Sequence, residues 1–170
     1  MIEKSEMVSV NVKYKDAEKT FYASPEEAWI LLNKFFGEFL PSFKVANNLV
    51  LSVDLQQLAK DCEGLIAFSP EGANLLVSKS RLTDNETLLL WLLAGYLGIK
   101  LGLIASDTMS KEELQTKLGK SGKITSTRLG ELVKNGLVAK TIEDKFRVTT
   151  FGVVRLQKDG LAKIKAKNTT

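Results

Sequence analysis

The sequence predicts an α+β protein in two parts, a small mixed α+β domain over residues 1–80 and a mainly helical domain over 81–170. Three observations predict it. Short runs in the first half alternate apolar and polar residues, which is the period of a half-buried strand. A serine followed three residues later by Glu opens a helix at Ser24 and again at Ser110. Residues 110–152 read as a helix, a short turn, a second helix and two short strands.

The elements follow in order. Val8, Val10, Val12 and Tyr14 alternate with Ser9, Asn11 and Lys13 as one strand. Lys15-Asp16-Ala17 is a turn, and Thr20 to Ala23 returns. Ser24-Pro25-Glu26-Glu27 then starts a helix with an N-cap, a proline at the first helical position and a glutamate closing the capping box. That helix carries Trp29, Phe35, Phe36 and Phe39 as core aromatics, and Pro41 stops it. Leu49 to Val53 reads as a strand, and Asp54 caps a short helix reaching about Cys62. Leu65–Phe68 and Asn74–Val77 form a hairpin around Ser69-Pro70-Glu71-Gly72. These strands are expected to join in a mixed sheet, with Lys79-Ser80-Arg81 as the junction to the second domain.

Leu88 to Ala105 is apolar nearly throughout. Its uninterrupted part, Leu88 to Ile99, is 12 residues, and a membrane span needs ~20. It is therefore expected to be a core helix, lying between the two halves of the chain or against a second copy, with Gly98 and Gly102 at the spacing of a close helix–helix approach.

In the stretch that follows, Leu114 and Leu118 share one buried face and Gly119 ends their helix. Ser121 caps the next helix, which turns Thr125, Leu129, Leu132 and Val133 inward, and Gly136 supplies a left-handed stop. Leu137–Thr141 and Phe146–Thr149 alternate as strands about a turn at Ile142–Lys145. Leu129-x-Glu131-Leu132-Val133-Lys134-x-Gly136-Leu137-Val138 and Phe146-x-Val148-Thr149-x-x-Gly152 together resemble the winged helix-turn-helix superfamily, over roughly residues 84 to 160. The resemblance implies a second helix lying in the major groove of DNA and a hairpin serving as a wing. It makes Lys123, Ser126, Thr127 and Arg128 the outward readers near the start of that helix. It places Lys120 and Ser121 at the turn for phosphate, and Lys140, Lys145 and Arg147 beside the wing. The sequence departs from the pattern at the wing tip, where Glu143-Asp144 repels phosphate, and at Gly130 and Gly122, which loosen the second helix.

Charge agrees with this division. Net charge is +4. Residues 1–80 hold 8 Lys, no Arg and 11 acids; residues 81–170 hold 16 basic residues and 9 acids. A basic half with this motif is the electrostatic footprint of a nucleic-acid binder. Without histidine there is no imidazole metal site and no Ser-His or Cys-His catalysis, and a single cysteine, Cys62, forms no internal disulfide. Gly119-Lys120-Ser121 is no phosphate loop, because Leu114 stands where that motif needs glycine. Asp54, Asp61 and Glu63 read as a solvated acidic face. No acid–base pair suggests an enzyme, and no cofactor is expected. Glu3, Lys4 and Glu6 replace the apolar core of an export signal, so the expected location is the cytoplasm, with no membrane contact.

The expected function is that of a double-stranded DNA-binding transcription regulator acting as a homodimer. The N-terminal domain would serve dimerisation, a small ligand or a protein partner. The alternative is a winged-helix adaptor in a replication, transcription or RNA-handling complex, and a third reading is an RNA-binding accessory factor.

Overall fold

The computed structural model describes residues 7–40 and 51–168, and there the α+β class holds: helices alternate with three two-stranded antiparallel sheets. The chain divides into two units, Met1–Leu51 and Ser52–Thr170. Among the described residues no helix is long and apolar enough to cross a membrane.

In the first unit, β1 (Val8–Tyr14) pairs with β2 (Ala17–Ala23) in register from Val8 opposite Ala23 to Tyr14 opposite Ala17. Helix α1 (Pro25–Phe39) opens with the expected reciprocal box. The Glu27 N–H donates to Ser24 Oγ and the Ser24 N–H to Glu27 Oε2, both at 3.3 Å. The Leu40 N–H closes the helix on the Phe36 carbonyl; Pro41, the expected stop, lies outside the described residues. Phe35 is buried, and its ring lies 5.1 Å from that of Phe39, while Tyr14 meets Phe36 edge-on at 6.2 Å. Trp29, expected in the core, is 67% exposed. A two-stranded hairpin covers only one stripe of a helix, and the stripe here is that of Ala28 and Phe35.

The second unit begins with α2 (Leu55–Cys62), capped by Asp54, and a hairpin of β3 (Ile66–Ser69) and β4 (Gly72–Leu75). The expected mixed sheet is not formed among the described residues. β1–β2 and β3–β4 are separate ladders, and residues 51–53, the described end of the expected strand Leu49–Val53, are not in a strand. After a 3-10 turn (Lys79–Arg81) comes α3 (Asp84–Lys100), whose Thr83 cap pairs reciprocally with Glu86. Next come α4 (Lys111–Leu118), α5 (Gly122–Lys134), β5 (Val138–Lys140), β6 (Phe146–Val148) and α6 (Thr150–Arg155). A π-helical turn (Leu156–Gly160) leads into α7 (Leu161–Asn168).

Helix α3 is the centre of this unit. Leu88, Leu90, Leu92, Leu93 and Ala94 are fully buried, so the helix is enclosed on all sides by its own chain. α2, β3 and β4 cover one side of it; α4, α5 and β6 cover the others. The junction expected at Lys79–Arg81 thus falls inside the second unit. Gly98, read as a helix–helix contact, instead abuts side chains of the same unit. A Cβ there would lie 2.7 Å from the Phe68 ring and 2.8 Å from Ile104. Gly102 adopts φ +69 and reverses the chain after α3, a conformation that suits glycine.

The lysine-rich end is docked as helix α7, with Leu161 and Ile164 buried. Arg81 Nη1 donates to the Lys167 carbonyl at 2.9 Å, Lys167 Nζ lies 2.6 Å from Glu86 Oε1, and Gln157 Nε2 donates to Asp61 Oδ2 at 2.8 Å. Hydrogen bonds from Gln157 and then Gln57 hold the Asp61 carboxyl below its ordinary range.

Candidate functional site

Helices α4 and α5 are joined by a three-residue turn whose first residue, Gly119, takes φ +72. Ser110 caps α4, with the Glu113 N–H donating to its hydroxyl at 3.1 Å and Glu113 returning the bond to the Ser110 N–H. Ser121 caps α5 by accepting from the Ile124 N–H at 3.4 Å. Leu114, Leu118, Leu129 and Leu132 bury the facing sides of the pair, as their spacing requires. Thr125 is buried with them at no polar cost, because its hydroxyl donates to the Ser121 carbonyl at 3.0 Å. Val133, expected inward, is 37% exposed.

Behind α5 stands the β5–β6 hairpin, with Ala139 opposite Arg147 and Val138 opposite Val148. Phe146 also pairs with Met109, between α3 and α4, by two backbone hydrogen bonds of 2.9 and 2.8 Å. The hairpin is thereby fastened to the segment that precedes the two helices. Thr149 closes the other end, donating its hydroxyl to the Gly136 carbonyl at 2.6 Å and accepting from the Gly152 N–H at 2.9 Å.

The outward face of α5 can be read from its geometry. At about 100° per residue, Lys123, Ser126, Thr127, Gly130 and Lys134 fall within an arc of about 100°, opposite Thr125, Leu129 and Leu132. All five are exposed. The Thr127 hydroxyl donates to the Lys123 carbonyl at 3.0 Å. No carboxylate belongs to this arc. Lys134 was not among the residues expected from sequence; the signal was its position seven residues after Thr127, two helical turns along the same face.

Gly130 lies within that face, and a Cβ built there meets nothing within 4 Å. Gly130→Ala is therefore expected to raise stability by about 0.5–1 kcal/mol, the helix-propensity difference. A rise in the urea midpoint with an unchanged slope checks it; an unchanged or lower midpoint would mean that this face is covered.

Arg128 is not part of the face. It is turned about 140° from Lys123, toward the start of α3. Its Nη1 donates to both Glu131 carboxylate oxygens at 3.0 Å, and its Nε lies 3.7 Å from Asp84 Oδ2. Asn85 Nδ2 donates to the same Glu131 carboxylate at 3.3 Å. The bond to Arg128, then that to Asn85, holds Glu131 below its ordinary pKa, while Glu131 keeps Arg128 above its own. The group ties α5 to α3.

The remaining expected residues divide. Lys120 and Ser121 sit exposed in the turn, and Lys120 lines a cleft of about 430 Å³ with Lys79, Ser80 and Asp84. Lys117, beside it, stacks its ammonium 3.6 Å from the Trp91 ring centroid; burial and then Lys79 lower its pKa against the opposing pull of Glu113. At the hairpin tip, Lys140 Nζ meets Asp144 Oδ1 at 2.8 Å and Lys145 Nζ meets Glu143 Oε2 at 3.6 Å, so the tip acids match the two lysines. Ile142 between them is fully exposed. Arg147 lines a different cleft, at the hairpin base.

Elsewhere, Cys62 is buried, and burial, followed by the Asp61 charge, pushes its thiol up to about 12, which leaves it un-ionised and unreactive near neutrality. Asp54 spends its carboxylate capping α2, and among the described residues no three metal-ligating side chains gather. Comparison of the chain with family models, curated proteins and solved structures gives no match.

Proposed function

We propose that residues 84–160 form a winged helix-turn-helix that binds double-stranded DNA in the cytoplasm, as the reading domain of a homodimeric transcription regulator. The observation that carries this reading is the outward face of α5: two lysines and two hydroxyls around a glycine, free of carboxylates, on a helix held from behind by Leu129, Leu132 and the Arg128 ion pairs. The order of α3, the Met109 bridge, α4, α5 and the hairpin supports it. In this mechanism Lys120, Lys123 and Lys134 neutralise phosphates, and Ser126 and Thr127 meet base edges in the major groove. Arg128 acts by fixing the helix rather than by touching DNA. The hairpin, with its lysines already matched, contributes little charge.

The test is a titration against labelled genomic duplex fragments at two salt concentrations. Each phosphate contact contributes about 0.9 to the slope of log affinity against log salt. Lys123→Ala and Lys134→Ala are each expected to lower the slope by about that amount, and Arg128→Ala to weaken binding while leaving the slope unchanged. Absence of binding at low salt overturns the proposal. The adaptor reading is favoured by one observation, the fully exposed Ile142 on a charge-balanced hairpin tip; it predicts a protein partner retained when Lys123 and Lys134 are replaced and lost on Ile142→Ser.

A further inference from the structure

We propose that the cleft at the base of the β5–β6 hairpin is a binding site for a small anion of the phosphate or carboxylate class. The cleft measures about 430 Å³, the size of a small-molecule site, and joins the end of α3 to β6 and the start of α6. None of its lining residues belongs to α4 or α5, so it is separate from the proposed DNA-reading face.

Its chemistry is specific. Lys100 enters from the last turn of α3, Arg147 from β6, and Asp107 from the loop between α3 and α4. Neither cation forms an ion pair among the described residues, with Asp107 or with any other carboxylate. Two cations without an ion-pair partner among those residues thus line one cleft together with a single carboxylate. An anionic group seated between an ammonium and a guanidinium gains charge-assisted hydrogen bonds from both. Tyr96 adds a phenol at the same cleft. A phenol is protonated at neutral pH and so can donate; burial first, and the Asp107 charge second, keep the Tyr96 pKa above its ordinary value. Thr150 adds a hydroxyl.

The place of Asp107 is fixed by Gly95. A Cβ there would meet the Asp107 carbonyl oxygen at 3.1 Å, so the loop seats directly on α3. The Asp107 carboxylate disfavours a polyanion such as DNA and tolerates a ligand of low charge.

The test uses the full chain, with inorganic phosphate and acetate as separate probes, followed by amide and Arg side-chain NMR at constant ionic strength. Saturable shifts at Tyr96, Lys100, Arg147 and Thr150 are expected with at least one probe, and the probe that saturates identifies the anion class. Arg147→Gln should weaken that binding at least fivefold. Asp107→Asn removes the repelling charge and should tighten it severalfold, a gain that a damaged fold does not mimic. Shifts that never saturate with either probe, that centre on Lys120 instead, or that survive Arg147→Gln with Asp107→Asn neutral would overturn the proposal.

Discussion

Gly152→Ala is expected to destabilise the second unit by about 3 kcal/mol, the upper range for overpacking a well-filled site. The new Cβ would fall on the Leu137 carbonyl oxygen and lie 2.9 Å from Val148 Cγ2. Side chains can move away from such a contact; this oxygen cannot. The Leu137 carbonyl accepts from the Thr149 N–H at 3.0 Å, so it is pinned by the residue that caps α6. Relief requires α6 to lift from the turn that ends α5, which breaks that bond and uncovers Val153, a fully buried side chain. Urea unfolding followed by far-UV circular dichroism measures the loss. A midpoint equal to that of the unchanged protein would mean that α6 does not pack against Leu137 as described.

Gly152 is also instructive about what a sequence discloses. The motif ending in Gly152 was legible as a pattern, but its cause, a carbonyl fifteen positions earlier, was not. What was legible throughout is chemistry confined to one helical turn. The Ser24, Ser110 and Ser121 caps and the left-handed Gly119 and Gly136 stand where local hydrogen bonding and φ demand. Hairpins closed by short turns were legible for the same reason. Non-local partners were not. Arg128 looked like a reader near the start of its helix, yet Glu131 on the next turn holds its guanidinium, and Asp84, 44 positions away, adds a second, longer contact that no short window contains. The alternating lysines of α7 do not disclose its burial, which rests on the i, i+3 pair Leu161 and Ile164 meeting distant parts of the chain. The strands of the first half were expected to merge, and that merger depends on pairings between hairpins that no short window contains. In the candidate interface, Lys123, Ser126 and Thr127 were legible from helical phase; Lys134, two turns further on the same phase, was missed because only the start of the helix was read as facing outward.

The division of the chain yields the second large effect. A fragment of residues 81–170 is expected to lose cooperative folding, whereas residues 52–170 should retain it. Leu58, Cys62, Leu65, Ile66 and Val77 all join the core that contains α3, and each is less than a tenth exposed. At roughly 1.5–3 kcal/mol for each large apolar side chain, removing them forfeits on the order of 10 kcal/mol. A whole domain is stable by only about 5–15 kcal/mol. Deleting the segment also returns its ordering entropy, but that gain does not re-cover the face of α3 that the segment occupied. A helix apolar on every side tolerates no open face in water, so the fragment should melt over a broad range and bind a hydrophobic dye. The helix–turn–helix pair and the hairpin would lose their support with it, since Leu114, Leu129 and Phe146 belong to the same buried cluster. Calorimetry of the two fragments decides the matter. A sharp transition for residues 81–170, near the temperature seen for 52–170, would mean that the layer before Lys79 is peripheral and that the smaller unit folds by itself.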